Sequence, residues 1–290
     1  MNPHTSIRLF PLLLKATLLF VLLNFAFILA SGFPIGKLSL YNKVFPGRER
    51  FPFGENQRGY NLSLFNLDAM FAAHALVGAP KADDELRVLL IGDSSVWGTL
   101  LTPEQNLAGQ LNSQSITACG KTVRAYNLGY PYISLLQELM ILDKALQYQP
   151  DMIVWLTTLE SFPRDKQLTA PLVANSPERV KELITKYRLP LDPNDPAVNH
   201  PTARDQTLIN RRKEIADLIR LQVYGAMWAS TGVDQFYPET YEPAQLDYEK
   251  NDEFHGIKPA ETLQGKLSLD ILDAGMNAAG APTLLVNEPI

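Results

Sequence analysis

Between Val88 and Gly98 the chain reads VLLIGDSSVWG, four apolar residues running into Gly92, Asp93, Ser94 and Ser95. An apolar run without alternation predicts a strand covered on both faces, as in a parallel sheet, here over Arg87 to Ile91. Such a strand delivers two hydroxyls to a sheet edge, where an alcohol can serve as a nucleophile. The same Asp and Ser residues also suit a helix N-cap, because their oxygens satisfy free backbone donors. Capping without chemistry therefore stands beside the functional reading. Further on, Thr102-Pro103-Glu104-Gln105 places a capping threonine before a proline at the first helical position and a glutamine at the third, predicting a helix start.

Three further apolar runs predict strands over Thr122 to Asn127, Met152 to Thr157 and Thr283 to Asn287, each ending on polar or glycine residues. Helical segments between them indicate right-handed crossovers and a parallel sheet with helices on both faces, an α/β fold. In open sheets of this kind ligands bind beyond the carboxyl ends of the strands. Ser94, Asn127, Gly129, Thr158, Glu160, Asn287 and Glu288 would then share one edge, with simple strand termination as the alternative for the last two.

From Leu86 to Phe162 the order of these motifs resembles the SGNH (GDSL-like) hydrolase family. Gly92-Asp93-Ser94-Ser95 matches the first block, with Ser94 at the nucleophile position. Asn127-Leu128-Gly129-Tyr130-Pro131 matches the second, with Gly129 at the position whose amide serves the oxyanion hole. The resemblance implies a three-layer, flavodoxin-like parallel sheet and an esterase acting on acyl esters without a cofactor or metal. It also implies an oxyanion hole built from the amides of Ser94 and Gly129, lined by Asp93 and Asn127. The third block departs from the family pattern. Its strand ends Thr157-Thr158-Leu159-Glu160-Ser161 and holds no asparagine, leaving the Thr158 hydroxyl as the donor.

A serine hydroxyl needs a base within hydrogen-bond reach, and the chain has four histidines, His4, His74, His200 and His255. His74 and His200 read as packing or surface residues. Asp252-Glu253-Phe254-His255 has the family's Asp-x-x-His spacing, but it precedes a helical segment, Ala260 to Ala279, and the last strand. The family order places that pair after the last strand. The expectation is that residues 1–290 are the N-terminal part of a longer protein and lack its general base.

Leu9 to Ala30 is apolar except for Lys15 and Asn24 and is long enough to cross a ~30 Å hydrocarbon core as a helix. It predicts a single-pass anchor (1–31) in contact with membrane lipid, with a cleaved signal peptide as the alternative. Arg8 and Lys15 on one side compete with Lys37, Lys43, Arg48 and Arg50 on the other, so charge does not fix the orientation; the resemblance implies an extracytoplasmic domain. Residues 32–84 read as a linker or subdomain. Residues 85–290 form the α/β domain, interrupted by an insertion over 162–280 that is expected to cap the site edge. A net charge of -5 and a pI near 5.5 give no sign of a nucleic-acid surface. One cysteine, Cys119, permits no internal disulfide. The reading is a serine esterase acting through Ser94 on an acyl ester or acylated glycan. An O-acyltransferase on an envelope polysaccharide and a non-catalytic carbohydrate- or lipid-binding relative remain as alternatives.

Overall fold

Strand β1 (Glu85–Ile91) is the axis of the fold. In the computed structural model, which describes residues 9–29, 74–78, 80–98, 101–200, 202–212 and 265–288 with positions 67, 71, 215, 216, 219, 223 and 227, Val88 to Ile91 are all buried. Burial of successive residues requires neighbours on both sides and cover on both faces. Strands β3 (Lys121–Asn127) and β4 (Met152–Thr157) flank β1 in parallel, with Leu90 opposite Asn127 and Ile91 opposite Trp155. Strand β5 (Thr283–Asn287) continues the parallel sheet beyond β4, and β2 (Thr117–Ala118) adds a short antiparallel edge to β3. The order is β2-β3-β1-β4-β5.

All four strands predicted from apolar runs are present, while β2 has no such signature. It is two residues long and turns back through Cys119 and Gly120, both at positive φ. The β5 edge is thinly covered, with Leu284 and Leu285 49% and 40% exposed despite the apolar sequence.

Alternation along the strands divides the apolar side chains between two cores. Leu89, Ile91, Tyr126, Ile153 and Trp155 face a large cluster. It includes Leu135, Leu136 and Leu139 to Leu142 of α5 (Leu135–Ala145) and Ile271 of α8 (Leu269–Ala278). Val88, Leu90, Ala125 and Leu156 face a smaller one with Val96 of α3 (Ser94–Trp97) and Ala108 of α4 (Leu107–Ser113). Helix α4 starts later than its proline suggested. Thr102 and Gln105 close a turn of their own, and Asn106 caps the helix by accepting from the Gly109 amide at 2.9 Å.

Residues 162–200 of the insertion belong to the main core. Leu172 and Val173 of α6 (Pro171–Ala174), Val180 and Leu183 of α7 (Pro177–Tyr187), Leu189 and Val198 are buried in the same cluster as α5. This part packs with α5 on one side of the sheet, and residues 228–264 of the expected cap lie outside the described residues. Helix α2 (Ala75–Gly78) precedes β1. Helix α1 (Leu9–Leu29) has 21 residues and no buried side chain. At ~1.5 Å per residue it spans about 31 Å, and it is long and apolar enough to cross a membrane.

Candidate active site at the carboxyl edge of the sheet

Helix α3 begins where β1 ends, and Asp93 makes the junction. Its buried carboxylate caps the helix, Oδ1 accepting from the Ser95 amide at 2.9 Å, while the Trp97 amide donates to the Asp93 carbonyl at 2.9 Å. Gly92 is required before it, because a Cβ would come within 2.7 Å of the Leu156 carbonyl oxygen on β4. Val96 and Trp97 are buried and fix the helix, leaving Ser94 partly exposed and Ser95 exposed. Capping is therefore observed, and it presents both hydroxyls at the edge.

Asn127 ties the end of β3 to the other end of α3. Its Nδ2 donates to the Val96 and Trp97 carbonyls at 2.8 and 3.2 Å, and its Oδ1 accepts from the Gly129 amide at 2.9 Å. The role expected for Gly129 changes accordingly. Its amide is engaged by Asn127, and its Cα lies so close to α3 that a Cβ would stand 2.1 Å from the Trp97 nitrogen. Gly129 is needed for its missing side chain, and its amide is held by Asn127. Asn127 is buried and forms this clip.

His74 completes the clip. Nδ1 accepts from the Leu76 amide at 3.0 Å, so Nε2 carries the proton and donates to the Asn127 carbonyl at 2.7 Å. Burial lowers its pKa to about 4, against the smaller opposing pull of that carbonyl. With both ring nitrogens engaged, His74 is a packing histidine. His200 is exposed. His4, Asp252 and His255 lie outside the described residues.

The neighbouring strands bring further groups to the serine turn. Thr158, buried at the end of β4, donates from its hydroxyl to Asp93 Oδ2 at 3.4 Å and lies 3.5 Å from Ser161 Oγ. Glu160, in the 3-10 turn Leu159–Ser161, is partly exposed. Asn287 is exposed at the end of β5. Glu288 donates its amide to the Thr157 carbonyl at 2.8 Å, and its carboxylate accepts from the Ser95 hydroxyl. Asp93, Ser94, Ser95, Thr158 and Glu288 thus meet at the carboxyl ends of β1, β4 and β5.

Beneath them is Glu138 of α5, absent from the motifs read in the sequence. It is completely buried, and its Oε2 accepts from the Trp155 indole at 2.6 Å. Burial raises its pKa to about 8, a shift that Trp155 and Ser161 reduce and the Asp93 and Glu288 charges reinforce. Its helical neighbours at three and four positions include Leu135, Ile141 and Leu142, so the sequence did carry a signal, an acid on the apolar face of a helix. Gln167 fixes the adjoining loop by donating to the Ser161 and Pro163 carbonyls at 2.9 and 2.8 Å and accepting from the Leu136 amide at 2.9 Å.

A scan against protein-family models matches no family, and a search of curated proteins finds no significant relative. The resemblance to SGNH hydrolases rests on the residues quoted for it.

Proposed function

We propose that this chain is a membrane-anchored SGNH-type enzyme that cleaves acyl esters through Ser94. The observation that carries the reading is the position of Ser94. It opens α3 at the carboxyl end of β1, between β3 and β4, where crossovers leave in opposite directions and doubly wound sheets take ligands. It is partly exposed, and Asp93 fixes its turn.

The Ser94 hydroxyl attacks the ester carbonyl, forming the Oγ–C bond and an oxyanion. The Ser94 amide and the Thr158 hydroxyl, whose present bond to Asp93 is long, are the donors that can turn to the oxyanion. Each such donor contributes about 3 kcal/mol of barrier lowering. The serine proton passes to a base and then to the leaving alcohol as the acyl–oxygen bond breaks. Water releases the acyl group as free acid; a sugar hydroxyl in its place gives an O-acyltransferase. A helix capable of spanning the membrane fits an envelope glycan as the acceptor, with the domain on the extracytoplasmic side. The Asp252–His255 pair is one candidate base.

A second reading is favoured by the Ser95–Glu288 hydrogen bond. Here the carboxylate is the base, and Ser95 is the activated alcohol. Hydrolysis of a short acyl ester by the full-length protein in detergent separates the readings. Ser94→Ala is expected to lower the rate by about a thousandfold or more while Ser95→Ala and Glu288→Gln retain most of it. The reverse pattern transfers the chemistry to Ser95. Retention of the rate in all three variants removes both hydroxyls from the chemistry, and the absence of hydrolysis by the parent protein leaves the carbohydrate- or lipid-binding reading.

A further inference from the structure

Glu138 is a buried carboxyl to which the serine chemistry gives no task. Its Oε2 accepts one hydrogen bond, from the Trp155 indole, and its Oε1 has no hydrogen-bond partner, although the Ser161 hydroxyl lies beside the group. Among the described residues no Lys, Arg or His pairs with it. The charges that face it are carboxylates, Asp93 from the turn before α3 and Glu288 from the end of β5. An ionised group in that position would be buried without a counter-charge, which costs far more than retaining the proton. The neutral acid instead has a proton to offer Ser161. From there polar contacts run to Thr158 at 3.5 Å, to Asp93 Oδ2 at 3.4 Å, and through Oδ1 to the Ser95 amide at 2.9 Å.

Resting on the serine reading above, we propose that Glu138, as a neutral acid, is a positioning residue for the Ser94 turn: it anchors the Ser161, Thr158 and Asp93 relay that caps α3 and keeps a third negative charge from beneath the serine. Loss of its proton loosens the cap and adds an anion near where the attacked carbonyl develops its oxyanion, which opposes the chemistry. The burial that raises its pKa to about 8 places this loss just above neutrality. Glu138→Gln keeps the shape, an acceptor for Trp155 and a donor for Ser161, but cannot ionise.

The test uses the full chain in detergent micelles with two readouts at about pH 6.5 and about pH 9. One is hydrogen exchange in the peptide containing Asp93 to Gly98, corrected for intrinsic rates. The other is the rate of fluorophosphonate labelling. Both chains are expected to behave alike at the lower pH. At the higher one the parent chain should label about tenfold more slowly than Glu138→Gln and exchange faster, following the fraction of Glu138 still protonated. Identical pH dependence in the two chains overturns the proposal. Should neither chain label at any pH, the Ser94 reading fails and the exchange result alone decides the role of Glu138. Ser161→Ala provides a check independent of Glu138→Gln folding. It breaks the relay without altering charge and should speed α3 exchange at both pH values; unchanged exchange contradicts the relay.

Discussion

Two buried groups with opposite preferences should set the pH dependence of stability. His74 is held neutral between the Leu76 amide and the Asn127 carbonyl, and burial lowers its pKa from 6.5 to about 4. Between those values the unfolded chain binds a proton that the folded chain does not, so stability falls on acidification. Glu138 acts in the reverse sense. Its pKa rises from 4.5 to about 8, so between those values the folded chain retains a proton that the unfolded chain releases, and stability falls as pH rises. Each slope is about 1.4 kcal/mol per pH unit. From pH 4.5 to 6.5 the two cancel and stability is flat. Between pH 6.5 and 8 Glu138 acts alone, and about 2 kcal/mol is lost. Below pH 4.5 His74 is joined by Glu85 and Asp151. Burial opposes ionisation of both, but hydrogen bonds from Arg87 and Lys81 respectively outweigh it and hold their pKa values low. Urea unfolding followed by tryptophan fluorescence at about pH 5.5, 6.5 and 8 measures this directly. Glu138→Gln should remove the alkaline loss and, with the cancellation gone, expose the His74 slope, so that the variant loses about 1.4 kcal/mol from pH 6.5 to 5.5 where the parent chain is flat. Stability that holds or rises from pH 6.5 to 8 in the parent chain, or an equal fall in Glu138→Gln, would refute the reasoning.

Gly129→Ala should destabilise by about 3 kcal/mol or more, because its Cβ would meet backbone atoms of α3 that cannot rotate away. Gly120→Ala meets nothing within 4 Å and has only its positive φ to resist it, so chemical denaturation should show about 1 kcal/mol. Arg87 and Glu85 form a buried ion pair at 2.6 Å that also receives the Tyr126 hydroxyl. Glu85→Ala removes the counter-charge from the buried guanidinium, which keeps its bond to the Tyr148 carbonyl, and should cost about 3 kcal/mol in the same assay. If α1 is an uncleaved anchor, the protein should remain in the membrane fraction through alkaline carbonate extraction with its N-terminus intact; release as a shortened chain would indicate a cleaved signal.

Strands β1 and β4 were legible because burial on both faces demands apolar residues at successive positions, whereas β3 begins with alternating burial and β5 is apolar despite its exposure. The short β2 was not legible, since a two-residue strand has no period and only the Cys119-Gly120 turn betrays it. At the site, the motif placed Ser94 at the turn after β1, but it carried no sign that Asn127 engages the Gly129 amide. A glycine retained for close approach and one retained for its amide look identical in sequence, and only the Asn127 hydrogen bond and the contact with Trp97 distinguish them. Glu138 escaped notice for a related reason. Strand ends carry the site motifs, whereas this acid reaches the edge from within α5; Glu288 was legible at the edge, but its bond to Ser95 was not.

Treating the full-length protein with a fluorophosphonate and mapping the adduct by peptide mass spectrometry tests most directly whether the edge of this sheet is reactive. One adduct per chain on Ser94, abolished in Ser94→Ala and retained in Ser95→Ala, is the expected result. An adduct that persists in Ser94→Ala, or none at all on a folded chain, would contradict Ser94 as the nucleophile.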